Sequence, residues 1–364
     1  MEVMTHKCPN CDGALTFEPA DQKFHCPFCL SIFTAAEVSE FEAKQKAARL
    51  VDEPTETQQN STTATMETTE ESAMDLFTCP SCGAEIVTDA TTAATYCYFC
   101  HNPVVLTGRL SGAYLPNKVL PFTIDKKEAT EKFLAWATKK WFVPKDFFNK
   151  AQVEKLTGVY FPYWAVDADA TGELTGVGTS IRMWVLGDIE YTETKEFAIH
   201  RRGNLHFREY IQNALSKNVQ QKMVEGVQPF QLDQAVPFEN QYLAGFQAEK
   251  RDLEYLELQP AIHKELETIG ETLLSDTVSG YTTFRTSQHS LHMEKETNQY
   301  VLLPVWLVTY RANDPQKKTF YYAMNGQTGK LSGILPLSYG KLFGVCSGIF
   351  ALVAILLMIG GYFL

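Results

Sequence analysis

Between Leu342 and Leu364 the chain has no charged residue, and between Val51 and Asp75 it has neither a base nor an aromatic. The first absence argues against a buried globular helix, which usually keeps some polar periodicity. At about 1.5 Å per residue the segment covers a hydrocarbon core of roughly 30 Å. We therefore expect one C-terminal transmembrane helix at 342–364, a tail anchor in the lipid bilayer. Lys330 and Lys341 precede it and no charge follows. The positive-inside rule then gives a single-pass protein of the cell membrane with its N-terminus cytoplasmic. Gly344 and Gly348 offer a close-approach face, and with it a homo-oligomer through the membrane helix. The second absence excludes a packed core in a stretch with seven acids and seven threonines, which reads as a disordered linker.

Bases are scarce where nucleic acid would need them. Residues 1–40 hold two, Lys7 and Lys23, against six acids; 76–110 hold Arg109 against Glu85 and Asp89; the whole chain carries −11. A phosphate backbone is a poor ligand for such surfaces. Catalytic signatures are missing too: there is no GxSxG, HExxH or GxGxxG. Gly326 to Lys330 has two residues between its glycines where a phosphate loop has four, and Leu331 follows the lysine. His200, His206, His263, His289 and His292 make no ligand pattern, and Asp167 and Asp169 read as solvated carboxylates. No enzyme is expected. No apolar stretch precedes Cys8, so no secretory leader is expected and the thiols should be reduced.

What is present is cysteine in a strict pattern. Eight of the nine form two sets of identical spacing: Cys8, Cys11, Cys26, Cys29 and Cys79, Cys82, Cys97, Cys100. Each reads C-x2-C, fourteen residues, C-x2-C, the spacing of a tetrahedral four-cysteine zinc site. Two residues between paired cysteines let one turn aim both sulfurs at one ion. Pro9, Pro27 and Pro80 pre-set those turns, and Gly13 and Gly83 stand where φ is often positive. The spacers suit β-hairpins. About thirty residues cannot bury enough apolar surface to fold alone, so the metal supplies the stability. Two structural Zn2+ ions are expected, with no open coordination position. His6, His25 and His101 flank complete sets and read as surface residues.

The expected fold is multidomain α+β: a zinc ribbon at 1–40, a helix and acidic linker at 41–75, a second ribbon at 76–110, an α+β body at 111–341 and the membrane helix at 342–364. In the body, Asp125 and Glu128 form a capping box for a helix to about Trp141. Strands follow at Val159–Asp169, Glu190–His200, Tyr281–His292, Tyr300–Tyr310 and Thr319–Met324. A second helix lies within Lys250–Asp276, interrupted near Pro260. Pro162-x-Trp164-x-Val166 matches Pro304-x-Trp306-x-Val308, each after an earlier Pro-Phe, at Pro121 and Pro237. That match suggests two related β-rich units, with both tryptophans as core anchors.

The feature order resembles a bacterial family with zinc ribbons like that of transcription factor TFIIB, an α+β body and a C-terminal membrane segment, in its YdjG-like branch. The carrying residues are Cys79, Cys82, Cys97 and Cys100, with the runs Lys140–Lys145, Gly158–Trp164 and Asn325–Lys330. The resemblance covers most of 76–364; the additional ribbon at Cys8–Cys29 and the single membrane pass depart from it. It implies association with PspA-like envelope-stress proteins and SPFH-domain membrane scaffolds. The function expected is a non-enzymatic membrane-anchored adaptor that recruits partner proteins, with a membrane-tethered nucleic-acid binder as the alternative.

Overall fold

The computed structural model describes residues 3–52, 74–79, 85–89, 91–97, 102–106, 109–110, 112–140, 142, 156–216, 225–311, 319–333 and 338–363. Most of the acidic linker, together with Cys82, Cys100, Gly83 and His101, lies outside them. The N-terminal ribbon comprises β1 (Val3–Met4), β2 (Thr16–Glu18), β3 (Lys23–His25) and β4 (Ile32–Phe33), followed by α1 (Ala35–Asp52). The second cysteine region has β5 (Met74–Thr78), β6 (Glu85–Asp89), β7 (Thr92–Tyr96) and β8 (Pro103–Leu106). The body opens with β9 (Lys118–Val119), α2 (Lys126–Thr138), β10 (Thr157–Leu186) and β11 (Ile189–Asn213). It continues with β12 (Val236–Pro237), β13 (Gln247–Glu249), α3 (Tyr255–Asp276), β14 (Thr283–Arg311), β15 (Thr319–Asn325) and β16 (Leu331–Gly333), and α4 (Tyr339–Phe363) follows.

One mixed eleven-stranded sheet dominates, with β10 and β14 antiparallel at its centre. Its register carries an approximate two-fold axis at the Phe161–Leu303 pair. β13 runs parallel to β10 at Val159–Gln247, and β9 runs parallel to β14 at Val301–Lys118. β11 begins its pairing at Tyr163–Asn213, and β15 at Val305–Asn325. The Ala214 amide donates to Pro162, and the Gly326 amide to Pro304. The Ala214 carbonyl accepts from Asp252 and Leu253, and the Gly326 carbonyl from Thr123 and Ile124. Most telling, the Trp164 indole donates to the Leu253 carbonyl at 3.1 Å and the Trp306 indole to the Ile124 carbonyl at 3.0 Å. Leu253 and Ile124 each stand two residues before a helix, so each half holds the helix start of the other. The repeated Pro-x-Trp-x-Val occupies equivalent places in the two halves.

Burial grades along β10. From Gly158 to Trp164 every side chain is buried, because both sheet faces are covered. Val159, Phe161 and Tyr163 pack on one side and Tyr160, Trp164 and Val166 on the other. From Asp167 to Gly178 burial alternates, as for a sheet with one covered face; Gly172 and Leu174 lie on the covered face, beneath α3 through Leu274. Beyond Thr179, where the pairing with β14 stops, the β10–β11 hairpin is exposed on both faces.

Several expectations are revised. The strands foreseen at Tyr281–His292 and Tyr300–Tyr310 are one, β14; the polar stretch between them contains no Gly or Pro, and Glu296 faces α3, where it meets Gln259 and His263. The helix within 250–276 passes through Pro260 unbroken. Leu256 and Pro260 are both exposed, so the carbonyl that proline leaves free reaches water. The spacer of the second cysteine set is not one hairpin. β6 pairs with β5, whereas β7 pairs with β8 and β13.

The expected membrane span is corrected. Among the described residues no helix is long and apolar enough to cross a membrane. Residues 342–364 fall within α4 and at the residue after it. The single C-terminal transmembrane helix therefore leaves the fold description. The placement in the cell membrane, single-pass with a cytoplasmic N-terminus, rested on that helix and goes with it. What stands is a large mixed β-sheet with four α-helices among the described residues.

Candidate metal centre

The first cysteine set converges. The sulfurs of Cys8, Cys11, Cys26 and Cys29 all lie within 4.8 Å of one another. Cys8 and Cys29 are 3.5 Å apart and Cys11 and Cys26 3.4 Å. Four thiolates about 2.3 Å from a tetrahedral ion stand roughly 3.8 Å apart, so the cluster could hold one metal ion without rearrangement. Two identical turns build it. The Cys8 amide donates to the Gly13 carbonyl and the Cys26 amide to the Ser31 carbonyl; Asp12 donates back to Cys8 and Leu30 to Cys26. The residue after the second cysteine of each pair is left-handed, Asp12 at φ 57° and Leu30 at φ 60°. Positive φ thus falls one residue before Gly13. That glycine is needed for another reason: a Cβ there would lie 2.5 Å from the Phe28 ring.

The electrostatics of the cluster are uneven. Cys8 and Cys26 are buried, Cys11 and Cys29 exposed. Burial pushes the Cys8 thiol up. The Ser31 hydroxyl, 3.2 Å from Cys29 Sγ, and the Ser31 amide hold the Cys29 thiol down to about 6. The Asn10 amide lies 3.4 Å from the Cys8 sulfur. His6 is not a surface residue: it is buried, its Nδ1 2.5 Å from Glu42 Oε1. His25 stays partly exposed beside Asp21, at 2.9 Å.

Of the second set, Cys79 and Cys97 are described; both are buried in a small cluster with Phe77, Val104 and Leu106. The Cys97 amide donates to the Asn102 carbonyl at 3.0 Å, the same five-residue turn as at Cys8 and Cys26. Cys346 lies apart, exposed on α4.

Both cysteine regions are built into the body. The Phe17 amide donates to Ala244, and the Phe17 ring meets Tyr242 at 5.6 Å edge-on. Gln22 donates to the Phe122 carbonyl, and β1 pairs with β8. In the second region Tyr96 donates to the Gly245 carbonyl and Arg109 to those of Asp89 and Thr92.

Comparison with known proteins adds one relative, from Bacillus subtilis (strain 168), described as uncharacterized protein YdjG. It is 34% identical over 264 residues, which are 71% of this chain and 76% of the relative. The chain belongs to the YdjG family. No family model and no solved structure matches it. The YdjG name carries no statement about metal, partner or activity.

The motif this YdjG-family chain shows at Asn325–Lys330 is a latch. Asn325 is fully buried and donates to the Val227 and Pro229 carbonyls at 3.0 Å, while its Oδ1 accepts from the Gln327 and Thr328 amides. Sequence reasoning missed the outward face of the first ribbon. Phe28 is 66%, Leu30 81% and Ile32 51% exposed on the second knuckle. Apolar side chains at that turn, where the first knuckle has Asp12, were the available signal.

Proposed function

We propose that the protein is a non-enzymatic zinc-ribbon adaptor that docks partner proteins on its metal-held knuckles. One observation carries the reading. The first ribbon buries Phe17 and Phe24 against the body and turns Phe28, Leu30 and Ile32 outward. Leu30 is the sharpest case, because a left-handed leucine exposed to water gains nothing from its own fold. Zinc as the ion follows from four thiolates in a closed tetrahedral set, which leaves no position for a bound water. A second Zn2+ held by Cys79, Cys82, Cys97 and Cys100 belongs to the same proposal, supported by the knuckle turn at Cys97. The scarcity of bases on both ribbons disfavours nucleic acid. Among protein partners, the resemblance directs attention first to PspA-like and SPFH-domain proteins.

The test is capture of a purified PspA-like or SPFH-domain protein by the immobilised full chain, with Phe28→Ser/Leu30→Ser beside it. Capture that the variant loses while keeping its zinc supports the adaptor. Equal capture by the variant, or salt-sensitive retention of nucleic acid instead, overturns it.

A further inference from the structure

The outer edge of β11 is open. Among the described residues β11 pairs with β10 alone, along its whole length from Ile189 to Asn213. An edge of that length is a template for another strand. Beyond Thr179 the hairpin also loses β14, and Met183, Val185, Leu186 and Ile189 are each more than half exposed. A two-stranded arm is marginally stable in water on its own, so the arm calls for a partner.

Charge along that edge says which partner. The half nearer the tip carries Glu190, Glu193 and Glu196 against Lys195. The half nearer the body carries Arg201, Arg202 and Arg208, and no acid until Glu209; Arg202 meets Glu173 of β10 at 3.3 Å and Arg208 meets Asp169 of β10 at 2.6 Å, both pairs exposed to water. An antiparallel copy of the same strand brings each acidic half beside the other's basic half. A parallel copy would bring like against like. A two-fold axis at Ile199 sets Glu196 opposite Arg202 and Glu190 opposite Arg208, all four on the exposed face. Such a contact is isologous and self-complementary, the usual form of a homodimer. Glu209, at φ 54° in a bulge, ends the regular edge beside Arg208.

We infer that two copies of this chain associate edge to edge through β11, antiparallel, and continue the sheet across a dyad near Ile199. Sedimentation velocity of the full-length, zinc-loaded chain tests this, with a mild non-ionic detergent to keep α4 from associating non-specifically. A dimer is expected that weakens as salt rises. Glu190→Arg/Glu196→Arg and Arg202→Glu/Arg208→Glu should each weaken it about tenfold or more, since like charges directly opposite repel. An equimolar mixture of the two variants should form a heterodimer, and Glu190→Arg/Glu196→Arg, which touches neither the Arg202–Glu173 nor the Arg208–Asp169 pair, should keep the wild-type unfolding midpoint to within a few degrees. A monomer at concentrations up to about 100 μM overturns the inference. So does a dimer that neither variant weakens, because the contact then lies elsewhere, or a mixture that does not recover association.

Discussion

Trp164 and Trp306 do more than fill space: each indole N–H meets the one carbonyl that marks the start of the opposite helix. Trp306→Phe keeps most of the ring but leaves the Ile124 carbonyl unmet in a buried site. A loss of about 1–3 kcal/mol is expected in urea unfolding, with Trp164→Phe similar. Asn325 is more costly to replace, since four backbone groups depend on it. Asn325→Ala should lose about 2–4 kcal/mol by the same measurement. Asp169 makes a pH-dependent contribution. His206 and then Arg208 hold its carboxyl below the ordinary carboxylate value. A depressed folded value adds stability above the unfolded value, lost as pH falls through the folded one. The stability difference between wild type and Asp169→Asn should therefore shrink as pH falls from about 5 towards 3, read from unfolding midpoints. At this scale the first four cysteines were legible from their spacing, because ligand chemistry is local. The tryptophans were legible as anchors, but their bonds cross between the two halves and no spacing announces them.

The knuckle is the element with the clearest local cause. Its turn repeats at Cys8, Cys26 and Cys97 with the same amide-to-carbonyl bond. The proposed zinc content follows: two ions per wild-type chain by elemental analysis, and one for Cys11→Ser, which removes a ligand of the first cluster alone. α2 shows the same directness. Asp125 caps it by accepting from the Glu128 amide at 2.7 Å, and Ala129, Phe133 and Ala137 form its buried face. Elsewhere element reading failed where partners were distant. The second spacer looked like the first, yet β6 is claimed by β5, and β7 by β8 and β13. β14 reads in sequence as two strands with a polar stretch between them, yet it is continuous. In place, those polar groups meet α3: Tyr255 and His263 both bond Glu296.

At the scale of the whole molecule, the first ribbon and the body share one core, with Phe17 and Phe24 joined to Tyr242 and Phe246. Removing the metal should therefore disturb more than thirty residues. Calorimetry after chelation should show the main transition moved down by several degrees, rather than a small early transition added to an unchanged one. A separate early transition would mean that the ribbon folds independently of the body.

Sequence alone determined what depends on neighbours along the chain: the first four-cysteine set, the capped helix, and the trace of duplication in Pro-x-Trp-x-Val. Tertiary structure decided which strand pairs with which, that the two halves exchange their helix-start contacts, that His6 is buried, and that β11 keeps an open edge. It also removed the expected membrane span. The strand pairings, the exchanged contacts and the burial of His6 turn on hydrogen-bond partners and covering layers many residues away, which no local run of residues records.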